Sequence, residues 1–368
     1  MRFLLVRTRK TELLAANMSR VLLFCLTAQR APFALLLSVF FVMAGAGCAQ
    51  TAAFAIVEKK AGAVGFYSNE GKRLSGVKVG EHPHEIVFSP DQKLAYVSDN
   101  GILWMQYAGE GGNTISIIDL AARTKVGVID LGKNRRPHGM DVHPKTGHIV
   151  VTTENPDGLL LVDPVARKVL RRYEVQGEDP HMVILDRNGE WAYVSNTSTN
   201  ALAAIRLSDG HVKLIPTDAR PQGAVFSRDG KTIYLTNSDG NSISIIDADK
   251  KERVGRIATG KGPGRVALTP DGKTLVYNLQ PGQGIGFADV ASRKQLKEIA
   301  LGGNPLSMTL SRDARFAYLG LQDSDKVVVV SVPDRKILRT FDTPKEAGPD
   351  PVLPLLGRAA AIRSKIPK

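Results

Sequence analysis

The sequence predicts an all-β protein, a seven-bladed β-propeller made of four-stranded antiparallel blades. Two observations support this prediction: a repeat of about 42 residues, and the lack of any long segment with helical periodicity. A repeating unit of four short strands can bury its faces only against its neighbours, as propeller blades do. The repeat is marked by asparagines 41 residues apart that each close a β-rich run, namely Asn155, Asn196, Asn237 and Asn278.

Each repeat contains four strands, A to D, in the same order. A turn with Asp and Gly, as in residues 228–231 and 270–273, separates strand A from strand B. Strand B ends at the repeated asparagine, and a second β-rich run, strand C, ends at an aspartate. We expect these aspartates to accept backbone N–H bonds in turns, and they are Asp119, Asp163, Asp247 and Asp289.

The positions of strand A predict six consecutive blades and a seventh that closes the ring. The six strands begin at His84, His138, His181, Gln222, Gly264 and Leu306. For the seventh blade, the N-terminal runs 54–58, 64–67 and 73–79 match strands B, C and D, which leaves 351–356 as strand A, with Val352 at its mouth position. Joining both ends of the chain in one blade removes the open sheet edge.

Several repeats carry a tyrosine-containing strand B: residues 96–100, 193–196 and 234–237. Together with the Ser-Ile-Ile-Asp and Pro-Asp-Gly-Lys segments, these strands resemble the bacterial YVTN-family β-propeller repeat, a WD-like repeat, over about residues 54–356. Related propellers include lactonases, the d-type haem domain of nitrite reductases, a copper-bearing propeller, accessory proteins of quinone-cofactor oxidation and a DNA-binding member. The resemblance therefore implies an exported seven-bladed scaffold and leaves its chemistry open.

Composition excludes some classes of function. The only two cysteines of the 368 residues, Cys25 and Cys48, precede the repeats, which excludes a disulfide framework or a cysteine-based metal site in the propeller. The net charge of +13 is concentrated at the ends: residues 1–47 carry +5, the tail 357–368 carries +4, and the body keeps only +4. Such a small excess disfavours nucleic acid as a partner.

The N-terminal region is typical of an export signal. Residues 31–49 form an apolar run preceded by Arg30 and followed by small residues, and a start at Met18 gives a signal of ordinary length. Cys48 also resembles a lipoprotein cleavage site, and an uncleaved anchor is the third alternative. We expect a signal peptide or lipoprotein signal over 1–48, a propeller over 49–356 and a basic tail over 357–368, with the folded part periplasmic or extracellular.

The first residue of each A strand is expected at one mouth of the central channel. His84, His138 and His181 occupy this position on three successive blades, and three imidazoles with an open position suit Zn or Cu. Glu85 and Glu154 are expected at the same mouth as candidate further ligands or general bases. The alternative is that the imidazoles only satisfy loop carbonyls.

One irregular loop is predicted at the same mouth. Most loops between strands B and C are short, but blade 1 inserts the Gly-rich residues 101–113. Trp104 and Tyr107 in this loop either contact a ligand or pack on the adjacent blade. With Gln222 and Asn196, they are the candidate ligand-binding residues.

Three hypotheses about function follow. The first is a non-catalytic exported scaffold, monomeric, that binds a protein partner or a small ligand at the channel mouth. The second is a metal-dependent enzyme, either a lactonase-like hydrolase or a periplasmic oxidoreductase accessory, that uses the three histidines. The third is DNA binding, against which the small charge of the body argues.

Overall fold

The computed structural model describes residues 51–355, which form 28 β-strands in seven four-stranded sheets. Paired strands are antiparallel, and the seven-bladed all-β fold predicted from the repeat is therefore confirmed. No helix with the length and hydropathy needed to cross a membrane occurs in this described part of the chain. The predicted signal with Cys48 and the predicted basic tail lie outside the described residues.

The strands follow one another at nearly constant spacing. In chain order they are β1 (Phe54–Glu58), β2 (Ala63–Tyr67), β3 (Arg73–Lys78), β4 (Pro83–Phe88), β5 (Leu94–Asp99), β6 (Thr114–Asp119), β7 (Thr124–Asp130), β8 (Arg135–Val142), β9 (Ile149–Asn155), β10 (Asp157–Asp163), β11 (Lys168–Tyr173), β12 (Pro180–Leu185), β13 (Trp191–Asn196), β14 (Ala201–Arg206), β15 (Val212–Pro216), β16 (Pro221–Phe226), β17 (Thr232–Asn237), β18 (Ser242–Asp247), β19 (Glu252–Ala258), β20 (Pro263–Leu268), β21 (Thr274–Leu279), β22 (Gly284–Asp289), β23 (Lys294–Ala300), β24 (Pro305–Leu310), β25 (Phe316–Leu321), β26 (Lys326–Ser331), β27 (Lys336–Asp342) and β28 (Pro349–Pro354).

Blades 1 to 6 are consecutive sets of four strands, from β4–β7 to β24–β27. Blade 7 has the order β28-β1-β2-β3, so the C-terminal strand pairs with the N-terminal one as predicted. Its inner strand is Pro349–Pro354, which corrects the predicted range 351–356 by two residues. The N–H of Lys59 donates to the carbonyl of Gly348 at 3.0 Å, which anchors the strand at this register.

A proline lies at the mouth end of each inner strand: Pro83, Pro137, Pro180, Pro221, Pro263, Pro305 and Pro349. Proline is tolerated there because this end of the strand needs no ladder N–H. The residue after it opens the ring of side chains at the mouth. In blade 7 this residue is Asp350 and not Val352, because the strand begins at Pro349.

The hydrophobic core lies between neighbouring blades. One cluster joins Ile117 of blade 1 to Met140 and Val151 of blade 2, and the other blade pairs have equivalent clusters. Burial of each large apolar side chain contributes about 1.5–3 kcal/mol. Each blade is therefore stabilised mainly by its two neighbours, as in other repeat proteins.

The turns on the face opposite the mouth confirm the role predicted for the repeated aspartates. In the turn that joins strands C and D of blade 1, the Oδ1 atom of Asp119 accepts the backbone N–H groups of Ala121 at 2.9 Å and Ala122 at 2.8 Å. Asp163, Asp247 and Asp289 accept equivalent bonds in their own turns. These residues are structural.

Candidate functional site

Seven inner-strand residues surround the mouth of the channel. In ring order from blade 1 they are His84, His138, His181, Gln222, Gly264, Leu306 and Asp350. All seven line one cavity of about 90 Å³. The cavity is therefore built from every blade, and its chemistry depends on a position that differs from repeat to repeat.

The three predicted histidines converge on one side of this cavity. The ring centroids of His84 and His138 are 4.4 Å apart, and those of His138 and His181 are also 4.4 Å apart. A glycine after His138 permits this approach, because a Cβ atom at Gly139 would lie 2.4 Å from the carbonyl oxygen of His181. The close packing of blades 2 and 3 thus brings the imidazoles together.

A chain of hydrogen bonds runs through two of these imidazoles. His84 Nε2 lies 2.7 Å from the carbonyl oxygen of Ile102, and His84 Nδ1 lies 3.3 Å from His138 Nε2. His138 Nδ1 lies 2.6 Å from Glu154 Oε1. The Nδ1 atom of His181 is buried and has no hydrogen-bond partner in the described residues.

Burial keeps these histidines neutral. It lowers the pKa of His84 and of His138 well below the usual range, and the ammonium of Lys59 lowers both further. Two neutral imidazoles supply only two protons to the three contacts from the Ile102 carbonyl to Glu154. The chain is complete when the Glu154 carboxyl carries the third proton, and when Glu154 is ionised His138 Nδ1 donates to the carboxylate instead.

The environment of Glu154 permits both protonation states near neutral pH. Its side chain is 3% exposed, and burial raises its pKa to about 7 although the guanidinium of Arg136 opposes the shift. Arg136 Nη2 lies 2.9 Å from Glu154 Oε2 and also donates to the carbonyl of Met105 at 2.6 Å. Glu154 thus connects the histidines of the inner strands to the loop of blade 1.

An ion pair crosses the channel below the histidines. Glu85 follows His84 on blade 1, and its carboxylate pairs with the guanidinium of Arg265, which follows Gly264 on blade 5. Both side chains line the cavity. Burial raises the pKa of Glu85 to about 7, and Arg265 opposes this effect. Because blades 1 and 5 lie nearly opposite each other in a ring of seven, the pair forms a floor beneath the cavity.

Lys59 adds a buried cation to the wall of the cavity. It follows β1 directly and is 5% exposed, and its Nζ lies 3.7 Å from Asp350 Oδ2 and 5.7 Å from the ring centroid of Trp104. Burial lowers the pKa of this amine, and the carboxylate of Asp350 opposes the shift. Sequence reasoning missed Lys59 because no repeat motif distinguishes it.

The inserted loop of blade 1 forms part of the cavity. Its residues 103–106, which include Trp104, line the cavity, and the carbonyl of Ile102 binds His84. Tyr107 is 53% exposed and is absent from the cavity lining. The predicted position of the loop over the mouth is therefore correct, and of its two aromatic side chains the tryptophan is the one at the cavity.

The remaining predicted residues separate into two groups. Gln222 lines the cavity. Asn196 is fully buried, lies outside the cavity lining, and donates to the carbonyl of Val175 at 3.0 Å. Asn278 of blade 5 lies one residue before the equivalent position, which Leu279 occupies, and donates to the carbonyl of Pro305 at 2.7 Å. Asn196 and Asn278 thus each connect a strand B to a neighbouring loop or strand.

Several cavity residues were not singled out from the sequence: Lys59, Arg220, Arg265, Gln280 and Asp350. A signal existed for Asp350, since Pro349-Asp350 repeats the pattern of Pro83-His84. Arg220 similarly precedes Pro221 as Arg136 precedes Pro137. Arg265 follows Gly264 as Glu85 follows His84, and for Lys59 only the closed ring reveals the position.

The structure leaves the metal hypothesis as a prediction. Within residues 51–355, no group of three His, Cys, Asp or Glu side chains has an arrangement that could hold a metal ion. In this conformation, His84 and His138 direct nitrogen atoms at each other.

Comparisons with known proteins identify the fold. No protein-family model and no curated protein sequence matches the chain. Similar solved structures include the periplasmic gluconolactonase PpgL of Pseudomonas aeruginosa, with 15% identity, a TM-score of 0.67 and coverage of 83% of this chain and 99% of that one. The dihydro-haem d1 dehydrogenase NirN has 15% identity, a TM-score of 0.61 and coverage of 82% and 75%. Hydrazine synthase of Kuenenia stuttgartiensis has 18% identity, a TM-score of 0.60 and coverage of 71% and 86%.

These similarities establish the seven-bladed propeller fold and no specific function. The resemblance to the YVTN repeat correctly implied this fold. Membership of that family stays a prediction, since no family model matches the chain.

Proposed function

We propose that the protein is an exported β-propeller that binds a small polar ligand in the mouth cavity and performs no chemical step on it. The observation that carries this proposal is a concave site with a floor. The Glu85–Arg265 ion pair lies beneath it, the histidines form one wall and the loop with Trp104 forms another. Concave sites with a few convergent polar groups are typical of ligand binding.

The size of the site favours a small ligand over a protein partner. A volume of about 90 Å³ accommodates a compact molecule, whereas a specific protein interface buries about 800 Å² on each partner. Export is supported by the apolar run at residues 31–49 and by the periplasmic description of the gluconolactonase PpgL. Attachment through a lipid on Cys48 is the membrane-bound form of the same proposal.

Ligand-detected NMR with mixtures of anionic, neutral and cationic small molecules tests this function. We expect binding to the wild type and its loss in Gln222→Trp, because the larger side chain fills the cavity. Tyr107→Ala is the matched control, since this side chain lies outside the cavity lining, and it should bind as the wild type does. Equal binding by Gln222→Trp, or no binding by the wild type, contradicts the proposal.

A second candidate is a metal-dependent enzyme, and one observation favours it. Ligand nitrogens of a tetrahedral zinc, at about 2.0–2.1 Å from the ion, lie about 3.3 Å from each other. His84 Nδ1 and His138 Nε2 are 3.3 Å apart, and their other ring nitrogens contact a carbonyl and a carboxylate, as those of metal-bound histidines do. A third nitrogen, on His181, lacks a partner. In this candidate Zn or Cu would polarise a substrate, and Glu154 or Glu85 would act as the base.

The positive charge of Lys59 opposes a metal cation at this site, which is why the binding function is preferred. Elemental analysis of protein purified from the periplasm or membrane fraction decides between the two candidates. One equivalent of Zn or Cu that is absent from the His84/His138/His181 triple alanine variant supports the enzyme. If both folded proteins lack metal, the metal candidate is wrong.

A further inference from the structure

Two arginines occupy equivalent positions in blades 2 and 4. Arg136 precedes Pro137 and Arg220 precedes Pro221, each at the start of an inner strand. Both have left-handed backbone conformations, with φ of 56° and 59°. The same conformation occurs before the inner-strand proline of four other blades, at His82, Asp179, Gly262 and Gly348, so it is a feature of the repeat. The two repeats therefore place the same cation at the mouth by the same backbone geometry.

The two arginines differ in what they bind. Arg136 has an internal carboxylate partner, since its Nη2 lies 2.9 Å from Glu154 Oε2. Arg220 also lines the cavity, but within residues 51–355 its guanidinium has no ion-pair partner. In blade 2 the arginine before the proline thus binds a carboxyl group. In blade 4 the equivalent arginine lines the cavity without such a partner.

Lys59 is a second cation that lacks hydrogen-bond acceptors. Its side chain is 6% exposed, and its ammonium donates no hydrogen bond to any described residue, since Asp350 Oδ2 is 3.7 Å away. Burial of an ammonium without hydrogen bonds is costly. A ligand oxygen in the cavity would supply the missing acceptor.

The formal charges of the lining favour an anion. The cations are Lys59, Arg220 and Arg265, and the acids are Glu85 and Asp350, so the lining carries an excess of one positive charge. The Nη1 atom of Arg265 is buried without a hydrogen-bond partner. The histidines contribute neutral rings, because burial lowers the pKa of each.

We propose that the ligand of the mouth cavity is a small monocarboxylate, held through its carboxylate by Arg220 and Lys59. This inference rests on the proposed function and adds the chemical class of the ligand. A carboxylate is preferred to a phosphate because Arg136 binds a carboxylate at the equivalent position and because one negative charge balances the lining.

Trp104 provides a local signal for the test. The chain has two tryptophans, and Trp191→Phe leaves Trp104 at the cavity as the single reporter. Titrations at constant ionic strength use acetate, lactate and pyruvate, the neutral amides acetamide and lactamide, and inorganic phosphate. Each titration is repeated after dialysis against a chelator, so that binding of a carboxylate through a metal ion is recognised.

We expect at least one of these carboxylates to change the Trp104 fluorescence and its amide to have no effect. Lys59→Met and Arg220→Gln should each weaken binding by about tenfold, as loss of one charge-assisted contact does, whereas Lys59→Arg should retain most of it. The matched controls are Lys60→Met, next to Lys59 but outside the cavity lining, and Arg228→Gln in a turn of the opposite face. Both controls should bind within about twofold of the parent.

The inference is wrong if an amide binds as tightly as its carboxylate, if phosphate binds and no carboxylate does, or if Lys59→Met and Arg220→Gln both keep the parent affinity. Should Lys59→Met fail to fold, Arg220→Gln decides alone, because Arg220 is an exposed residue. If neutral compounds bind the wild type but not Gln222→Trp, the proposed function is supported and only the inference that the ligand is an anion is wrong. If no compound of any charge class binds, both fail.

Discussion

The carboxyl groups at the mouth of the channel and those in the turns of the opposite face have pKa values shifted in opposite directions. Burial raises the pKa of Glu85 and of Glu154 to about 7 at the mouth. In the turns between strands A and B, hydrogen bonds from a hydroxyl two residues earlier and from the backbone lower the pKa of Asp229 and Asp271. Aspartates like those of the opposite face recur in several blades and stabilise turns. Each of the two glutamates of the mouth occurs in one blade.

The difference teaches where function is to be sought in a repeat protein. The pattern of Ser or Thr followed two residues later by Asp occurs in four blades, with Oγ to Oδ1 distances of 2.6–2.7 Å at Asp91, Asp229, Asp271 and Asp313. An aspartate that recurs in the turns of four blades and accepts hydrogen bonds within its own turn meets a need common to those blades, which is a structural need. The mouth position carries His, Gln, Gly, Leu and Asp in different blades, which is typical of a site built for one ligand.

The largest effect is expected from breaking the ion pair at the cavity floor. Glu85→Ala leaves the buried guanidinium of Arg265 without its partner, and we expect it to lower the free energy of unfolding by about 3 kcal/mol. Urea unfolding followed by circular dichroism measures this. Replacement of both residues, as in Glu85→Met with Arg265→Met, should recover most of the loss because no charge stays buried. A double variant as unstable as the single one would show that the floor depends on the ion pair itself.

The pH dependence of stability should have opposite signs on the two faces. The pKa of folded Glu154 is about 7 against 4.5 for the ordinary carboxyl, so the folded state binds more protons between these values. Its contribution is fully present below about pH 4.5 and is lost as the pH rises through 7. Between pH 5 and pH 8, the free energy of unfolding of Glu154→Gln should therefore rise by about 2 kcal/mol relative to that of the wild type.

The matched variant on the opposite face is Asp271→Asn. Hydrogen bonds lower the pKa of folded Asp271, so its contribution is present above the ordinary pKa of 3.8 and is lost as the pH falls through the lower folded value. The advantage of the wild type over this variant should therefore shrink below about pH 4. Urea midpoints measured at several pH values test both variants, and slopes of the same sign would contradict the comparison.

The hydrogen bonds that one turn aspartate accepts should contribute about 1 kcal/mol to the free energy of unfolding. Asp271→Ala removes the acceptor of the hydroxyl of Thr269 at 2.6 Å and of the backbone N–H of Lys273 at 3.0 Å. Because blades 1 and 5 lie nearly opposite each other in the ring of seven, the same change in the turn of blade 1, Asp91→Ala, should add a similar loss independently. Urea unfolding of both single variants and of the double variant tests the additivity.

The smallest effect is expected at an exposed ion pair of the opposite face. Arg206 Nη2 lies 2.9 Å from Asp209 Oδ2, but the two side chains are 44% and 53% exposed. A double-mutant cycle with Arg206→Ala and Asp209→Ala should give a coupling free energy below about 1 kcal/mol. A coupling free energy as large as that of the pair between Glu85 and Arg265 would show that burial is not what distinguishes the two faces.

The sequence by itself determined the repeated features. Strand alternation, turn residues and the asparagine spacing predict the number of blades, the closing blade and the arc of His84, His138 and His181, because each follows from local pattern and period. It also placed Glu154 and Trp104 at the correct mouth, since antiparallel strands return every second loop to the same face. The predicted start of the last inner strand is two residues late, because apolar alternation does not define the strand end that Pro349-Asp350 marks.

Only the tertiary structure decided which unique side chains meet. Glu85 and Arg265 are 180 residues apart in sequence and pair because closing a ring of seven blades brings blades 1 and 5 across a narrow channel. Lys59 reaches Asp350 because the two ends of the chain share blade 7. The period predicts which residues are equivalent, but which side chains meet across the channel depends on the diameter of the closed ring and on the length of each side chain.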